Sequence, residues 1–344
     1  MAALYVTSLP AGAGKTAVCA GLGRHLLGDG KKVGFFKPII ADGEKPSIEG
    51  FDSDAEFMKH VLALEEPIDS LCPVIGRQGE LTNRIKKAYT KVSRGKEVVI
   101  VEGIWRQSPG GKPIEASYQI VEALDAKVII VEAYSEELSR AEFIDEYKDF
   151  GEYLLGVVVN KVPRSRVEQV YNQLLAQFGG AGIDILGVLP EDRVLFGLTI
   201  GELAEHIQGE ILNCAEKSAE LVENFMLGAM TVDHGPDYFG HKANKAVVVR
   251  GERPDMQLAA LETSTKCLVL SGGVSPIHTV LHVAGDKGIP IILTEGDTIS
   301  AVNSIELALG KTRFNQEKKL PRLVEIMEQQ FDFQAVYKGL GLTD

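Results

Sequence analysis

Residues 2–28, AALYVTSLPAGAGKTAVCAGLGRHLLG, place a short apolar run, a glycine-rich turn and a helix-like stretch in direct succession. Two glycines, Gly12 and Gly14, let the main chain approach a ligand with no Cβ in the way. A helix that begins at such a turn directs unpaired backbone N–H groups toward an anion. Lys15 would then reach the outer phosphates of a nucleotide, and the Thr16 hydroxyl would complete a magnesium shell. The stretch therefore predicts a phosphate-binding loop.

The loop departs from the usual spacing at its first position. A glycine normally precedes Gly14 by five residues, but this chain has Leu9 there, with Ser8 beside it. The flanking strand and helix favour nucleotide binding. The alternative interpretation is a vestigial turn that binds nothing.

The composition argues against two classes of partner. The chain has 344 residues, enough for two domains, and a net charge of −12 at pH 7. Nucleic-acid surfaces need clustered Lys and Arg, which an acidic chain of this kind does not favour. No apolar run reaches the roughly 18 residues of a membrane span, and the N-terminus lacks the pattern of a signal peptide. We therefore expect a cytoplasmic protein that binds neither nucleic acid nor membrane.

Apolar runs alternate with helix-like stretches through the first part of the chain. The runs are continuous in Val and Ile, as expected of strands that helices cover on both faces. They lie at 4–6, 33–36, 98–101, 128–131, 155–159 and 185–188. The predicted helices are 15–28, 54–63, 81–94, 115–124, 136–149, 164–178 and 199–207. This alternation predicts an α/β fold with a doubly wound, mostly parallel P-loop sheet.

A second, smaller α/β pattern begins near residue 210. A helix-like stretch at 213–229 is followed by predicted strands at 246–249, 267–270 and 290–293, and by predicted helices at 254–262, 276–286 and 298–308. The apolar spacing near the C-terminus predicts an amphipathic helix. The sequence thus predicts a nucleotide-binding domain at 1–208, a smaller domain at 209–315 and a C-terminal helical tail at 316–344.

Charged residues lie at the predicted ends of strands and at the start of one helix. Lys37 follows the second predicted strand, at the edge where ligands bind in parallel sheets. Glu102 follows four β-branched residues, and a buried carboxylate there requires a cation. Asp52 is suited to cap the next helix, while Asp54 is suited to hold Mg²⁺ through a water, and the local sequence leaves both roles open.

Asn160 ends the fifth predicted strand in GVVVNKV, where its amide would both donate to and accept from a purine edge. Pro163 stands where a guanine-reading NKxD element would have its Asp, so adenine is favoured. The residues predicted to contact the nucleotide are Gly12, Ala13, Gly14, Lys15, Thr16, Ala17 and Asn160. The predicted metal ligands are Thr16 and Glu102, with Asp54 as the open candidate, and the predicted catalytic residues are Lys15 and Lys37.

The segments GAGKT, KVGFFKPI, DSDA, VIVEG and GVVVNKV, in this order, resemble the dethiobiotin-synthetase-like P-loop fold. They are most similar to the version found in the N-terminal part of long bacterial phosphotransacetylases. The segments GAMTVDHGPDYF, KAVVVRGERPDMQLAAL and CLVLSGGVSP resemble the DRTGG domain that follows it in those enzymes. The resemblance covers residues 2–315.

The resemblance implies ATP and Mg²⁺ as ligands, held by the GKT residues. It places Lys37 between nucleotide and substrate, assigns Asp54 and Glu102 to the metal, and assigns Asn160 to the adenine side. Residues 104–107 replace a glycine-rich stretch of dethiobiotin synthetases, so dethiobiotin synthesis is not expected. Only about 30 residues follow the DRTGG-like part, fewer than a catalytic domain needs, so we expect no acetyl transfer by this chain alone.

Small and charged residues also follow the three strands predicted in the second domain, at 250–253, 271–273 and 294–297. They are typical of an α/β ligand pocket that would take a small anionic or nucleotide-like effector, although glycine turns before helices need no ligand. His234 and His241 lack metal-ligand spacing, so surface or interface roles are expected of them.

Three functions fit these observations. The favoured one is an ATP- and Mg²⁺-binding regulatory or accessory module, related to phosphotransacetylase, whose DRTGG-like domain senses a metabolite. The alternatives are an ATP-dependent ligase of the dethiobiotin synthetase or cobyrinic acid a,c-diamide synthase type, and a non-catalytic scaffold. By analogy with related P-loop proteins, we expect a homodimer or a higher homo-oligomer.

Overall fold

The computed structural model describes residues 1–8, 12–41, 52–76, 81–103, 115–136, 150–229, 235–310, 312 and 314–342. The chain divides into two compact units. The first comprises Met1–Glu191 together with Phe314–Asp344, and the second comprises Asp192–Arg313. The predicted domain limits are 208 and 315. Residues 192–208 instead lie in the second unit, and the predicted C-terminal tail lies in the first.

The first unit is built on six parallel strands. They are β1 (Ala2–Thr7), β2 (Val33–Phe36), β5 (Val98–Glu102), β6 (Lys127–Ala133), β7 (Leu154–Val162) and β8 (Ile185–Pro190), while β3 (Ile39–Ala41) and β4 (Val74–Gly76) form a separate parallel pair. The strand order is β2-β5-β1-β6-β7-β8. Val6 of β1 pairs with Glu102 of β5, so the turn after β1 begins beside the carboxyl end of β5.

Helices connect these strands, as a parallel sheet requires. They are α1 (Lys15–Gly28), α2 (Ser53–Val61), α3 (Ile68–Leu71), α4 (Leu81–Ser93), α5 (Glu115–Leu124) and α6 (Val167–Gly179). Residues Val98–Val101 of β5 are fully buried, as are Leu4, Tyr5 and Val6 of β1. Consecutive burial along both strands explains their unbroken apolar sequence, because neither face of the sheet is left to water.

The second unit has its own α/β core. Its strands are β9 (Leu198–Thr199), β10 (Glu210–Ile211), β11 (Leu221–Val222), β12 (Asn224–Leu227), β13 (Lys245–Arg250), β14 (Thr265–Ser271) and β15 (Ile291–Thr294). Its helices are α7 (Arg193–Phe196), α8 (Ile200–His206), α9 (Gly235–Gly240), α10 (Pro254–Leu261), α11 (His278–Lys287) and α12 (Thr298–Gly310). The main sheet has the order β10-β15-β14-β13-β12, and in it only β10 runs antiparallel to its neighbour.

Alternate residues of β13 belong to two separate apolar clusters of the second unit. Val247 and Val249 pack into one cluster, whereas Ala246 and Val248 pack into the other. Successive side chains of a strand point to opposite faces, so this sheet is covered on both sides.

The C-terminal segment forms two helices, α13 (Leu320–Gln330) and α14 (Phe333–Leu340), where the sequence predicts one. The carboxylate of Asp332 caps α14 by accepting from the N–H of Ala335, and this cap starts the second helix. Helix α13 packs closely on α1: a Cβ built on Gly21 would lie 2.0 Å from Sδ of Met327. The segment therefore belongs to the core that carries the glycine-rich turn.

The predicted fold class is confirmed, with one local correction. The helix predicted at 213–229 is wrong, because this stretch contains β11 and β12. Met226 and Phe225 of β12 pack into opposite faces of the sheet while the strand pairs with β13, and this pairing overrides local helical preference. The helix predicted at 136–149 falls almost wholly outside the described residues. None of the described helices combines the length and the apolar character that a membrane span requires.

Candidate functional site

The turn before α1 requires glycine at two positions. Gly12 and Gly14 have φ values of 73° and 103°, in the left-handed region that other residues avoid. Gly14 is the N-cap of α1, and among the described residues no side chain caps this end of the helix. The first N–H groups of α1 therefore lack a side-chain acceptor and can bind an anion.

Lys15 and Thr16, the first residues of α1, each contact a buried polar side chain. Nζ of Lys15 donates to Oγ of Ser8 at 2.9 Å, and Oγ1 of Thr16 donates to Oε1 of Glu102 at 3.0 Å. Burial lowers the pKa of the Lys15 ammonium, and the charge of Glu102 opposes that change. A desolvated cation at this position attracts a phosphate more strongly than one in water does.

Glu102 is the last residue of β5, and only 3% of it is exposed. Burial raises the pKa of its carboxyl above the ordinary value, while the Lys37 ammonium acts in the opposite direction. Its Oε1 accepts the Thr16 hydrogen bond, but its Oε2 has no hydrogen-bond partner among the described residues. A buried carboxylate oxygen without a partner is costly, so this edge of the sheet favours an added cation.

Lys37 follows β2 and contacts three carboxylates. Its Nζ lies 2.6 Å from Oδ2 of Asp54, 3.0 Å from Oδ1 of Asp52 and 3.5 Å from Oε1 of Glu102. Burial by itself would lower the pKa of this ammonium, but the attraction of Glu102 and Asp54 outweighs burial and raises it. Lys37 is therefore positively charged at neutral pH.

The two acids at the start of α2 have separate roles. Oδ1 of Asp52 accepts from the N–H groups of Asp54 and Ala55, so the N-cap interpretation is confirmed for Asp52. The same oxygen also accepts from Lys37, a contact that the sequence does not predict. The carboxylate of Asp54 binds Lys37 through Oδ2, and its predicted role as a metal ligand stays a prediction.

Asn160, near the end of β7, contacts the glycine-rich turn. Its Nδ2 donates to the carbonyl of Ala13 at 2.9 Å, and its Oδ1 accepts from the N–H of Lys161 at 2.9 Å. These bonds use half of the capacity of the amide, which has two N–H groups and two lone pairs. The predicted adenine contact therefore stays a prediction, and the structure adds a bracing contact to the turn.

The structure links four of the predicted side chains, Thr16, Lys37, Asp54 and Glu102, by direct contacts, and Lys15 follows Gly14 at the same helix end. Ala17 is buried in α1 and offers only main-chain groups. Leu9 and residues 104–107 lie outside the described residues. No role was predicted for Ser8, although a polar residue directly after a buried strand is a usable signal.

The donor set fits Mg²⁺. The Thr16 hydroxyl and the carboxylates of Asp54 and Glu102 are the hard oxygen ligands that this ion prefers, and Oε2 of Glu102 has no other partner in the described part of the chain. Across the same residues, no three His, Cys, Asp or Glu side chains could hold a metal ion by themselves. Mg²⁺ commonly takes one or two carboxylates and completes its shell with waters and substrate phosphates.

In the second unit, the residues at the carboxyl ends of β13, β14 and β15 bind mainly one another. The N–H groups of Gly272 and Gly273 donate to the carbonyls of Gly296 and Thr294, and the Ser271 and Thr298 hydroxyls lie 2.8 Å apart. The side chains in this region also form local ion pairs, Arg250–Glu252 and Arg253–Asp255. Of the two histidines for which surface or interface roles were expected, His241 contacts the carbonyl of Tyr238, and His234 falls outside the described residues.

Comparisons with known proteins also divide the chain into two domains. Residues 2–197 match the family described as an AAA domain, and residues 202–308 match the DRTGG domain. The phosphate acetyltransferase of Nitrosomonas europaea is 24% identical over 341 residues, which cover 92% of this chain and 48% of that protein. The chain spans about half the length of such relatives. The ATP-dependent dethiobiotin synthetase of Caldicellulosiruptor saccharolyticus is 24% identical over 223 residues, covering 56% of this chain and 88% of that protein.

Two solved structures are also similar in part. The CBS and DRTGG domains of Clostridium perfringens pyrophosphatase, solved with diadenosine tetraphosphate, match 44% of this chain and 74% of that one, with 12% identity and a TM-score of 0.30. MinD of Pyrococcus horikoshii, solved with Mg-ADP, matches 56% of this chain and 83% of that one, with 13% identity and a TM-score of 0.33. The resemblance stated from the sequence is confirmed by the family matches: because the AAA domain covers more than half of the chain, the protein belongs to that family and carries a DRTGG domain after it.

Proposed function

We propose that the first unit binds ATP together with Mg²⁺ at the turn between β1 and α1. The observation that carries this proposal is the convergence of Thr16, Lys37, Asp54 and Glu102 beside an uncapped helix N-terminus. Two ammonium groups and a set of hard oxygen ligands are what a magnesium–triphosphate complex requires.

Each group has a distinct part in binding. The N–H groups from Gly12 to Ala17 and the Lys15 ammonium bind the phosphates, while Thr16, Asp54 and Glu102 hold the magnesium ion directly or through water. The ion supplies charge neutralisation between the outer phosphates. Asn160 contacts the adenine through the amide N–H and the oxygen lone pair that its two hydrogen bonds to the protein leave unused.

Isothermal titration with ATP and Mg²⁺ tests the proposal. The wild-type protein should bind one ATP per P-loop, and the Lys15→Ala variant should bind at least about tenfold more weakly, since it loses a charge-assisted contact to phosphate. Equal binding by both proteins, or none by either, would end the proposal.

The second unit binds a small anionic or nucleotide-like effector, and the chain acts as a regulatory or accessory module related to phosphate acetyltransferases. Support comes from the match of residues 202–308 to the DRTGG domain. A panel of metabolites titrated into the Lys15→Ala variant separates this site from the P-loop. If no compound binds that variant, the effector role is lost and the nucleotide site is unaffected.

An ATP-dependent ligase is the second candidate. The similarity to dethiobiotin synthetase favours it, and so does Lys37, whose charge at this edge would stabilise a phosphoryl group in transfer. Diamino acids and carboxylates should then stimulate ADP release. A panel that leaves the basal rate unchanged removes this candidate.

Three further expectations belong to the favoured function. The chain by itself forms no acetyl phosphate from acetyl-CoA and phosphate, which a coupled thiol assay checks. It forms a homodimer, which light scattering with and without ATP and Mg²⁺ checks. It resides in the cytoplasm, which cell fractionation checks.

A further inference from the structure

The Lys37 ammonium contacts both of the predicted metal carboxylates. It is 2.6 Å from Asp54 and 3.5 Å from Glu102, and its third acidic neighbour is Asp52, at 3.0 Å. Lys15, the other ammonium of the site, instead bonds the hydroxyl of Ser8. The two lysines therefore differ in what they contact, although they carry the same charge.

Regular structure fixes the groups around Lys37. Asp52 is held by two backbone N–H groups of α2, Glu102 ends β5, and Lys37 itself follows β2. The Lys37 side chain is only 16% exposed, so water competes little for its contacts. A divalent cation that reached the same oxygens would meet a like charge at short range in a partly desolvated site, where repulsion is strong.

We propose that, in the nucleotide-free protein, Lys37 takes the place of the divalent cation between Asp54 and Glu102, so that Mg²⁺ binds tightly only after a polyphosphate has drawn Lys37 away. This inference rests on the proposed ATP function, because the polyphosphate of the bound nucleotide is the group that binds Lys37 in place of the carboxylates. Nucleotide and metal then strengthen each other's binding by the same factor, since linkage is reciprocal.

The test is a titration with Mn²⁺ alone, followed by electron paramagnetic resonance, with no nucleotide present. Mn²⁺ replaces Mg²⁺ at oxygen ligands and gives a direct signal for the free ion. Lys37→Met should bind Mn²⁺ about tenfold more tightly than the wild type, within the range typical of coupled sites. Lys37→Arg, which keeps the charge, should stay close to the wild type.

Lys15→Met is the matched control. This substitution removes the same charge from the same site, but it frees no carboxylate from an ion pair. The gain in Mn²⁺ affinity should therefore be several-fold smaller than that of Lys37→Met. Lys37→Gln, which keeps donors for the carboxylates, serves if Lys37→Met does not fold. Equal gains for the Lys15 and Lys37 variants, or no gain in a folded Lys37 variant, would overturn the proposal.

Failure of this inference is distinguishable from failure of the proposed function. The wild-type protein is titrated separately with ATP and Mg²⁺. If the wild type binds ATP and the folded Lys37 variants show unchanged Mn²⁺ affinity, only the proposal that Lys37 excludes the metal is lost. Absence of ATP binding removes the nucleotide function itself.

Discussion

The carboxyl edges of the two parallel sheets differ in how their polar groups are satisfied. In the first unit, Glu102 is buried with one oxygen that lacks a partner in the described structure, and Lys37 is shared among three acids. In the second unit, the glycine N–H groups after β14 donate to carbonyls at the end of β15, and exposed Arg–acid pairs lie close in sequence. The carboxyl edge of the first sheet therefore keeps charged groups that a ligand could bind, whereas the charged groups at the edge of the second sheet pair with one another.

A buried amide makes the contrast more specific. Gln257 is fully buried in the second unit, and its Nε2 donates to the carbonyls of Arg250 and Gly251, while its neutral Oε1 has no hydrogen-bond partner among the described residues. That side chain fastens the turn after β13 to α10, a structural task. Glu102, in contrast, ends β5 and carries a carboxyl whose pKa is raised by burial, so its ionisation opposes folding. Of these two buried side chains, Glu102 alone carries a charge, so burial points to function at Glu102 and to a structural role at Gln257.

The largest effect is expected from Gly14→Ala. Its φ of 103° and the 2.2 Å approach of a Cβ to Nδ2 of Asn160 should lower the free energy of unfolding by about 2–3 kcal/mol. Chemical denaturation followed by circular dichroism measures this change. Gly28→Ala, at the other end of α1 with open space around its Cβ, should change stability by less than about 1 kcal/mol. Equal effects would show that the turn is not strained.

Gln257→Leu should come next. Two backbone carbonyls lose their donor, so the free energy of unfolding should fall by about 2 kcal/mol, while the affinity for ATP stays unchanged. Gln329→Leu, on an exposed position of α13, is the control and should leave stability nearly unchanged. A loss of ATP affinity in Gln257→Leu would break the contrast between the two edges.

Glu102→Gln should have a smaller effect, of opposite sign. The pKa of Glu102 in the folded state lies above the ordinary value of 4.5. The protonated carboxyl therefore contributes its full stabilisation below pH 4.5, and this stabilisation is lost as the pH rises through the folded-state pKa. At pH 7 the ionised group costs stability, and Glu102→Gln should therefore melt at a higher temperature. The difference should shrink toward pH 4.

Thermal melts of Glu102→Gln at pH 7 and pH 4 measure this, with the exposed Glu205→Gln as control. The more stable variant should also lose Mg²⁺-dependent binding of ATP. A lower melting temperature at pH 7 would mean that the charge of Glu102 has a structural role, and the two edges would then be alike.

Much of the fold was predictable because the strands are buried on both faces and read as continuous apolar runs. The segment of β12 was not, because residues 224–227 become a strand only by pairing with β13, a tertiary event that local sequence does not record. At the site, the strand ends of β2 and β5 identified Lys37 and Glu102. The shared use of Asp52 by α2 and Lys37, and the contact of Asn160 with Ala13, depend on side-chain directions that spacing does not specify.

A crystal structure of the protein with a non-hydrolysable ATP analogue and Mg²⁺ tests the central claim most directly. We predict that the N–H groups at the start of α1 bind the phosphates. The metal should lie beside the Thr16 hydroxyl and the carboxylates of Asp54 and Glu102, in the place that Lys37 has left. Analogue bound only in the second unit, or phosphates held away from α1 with Lys37 still between its three acids, would contradict it.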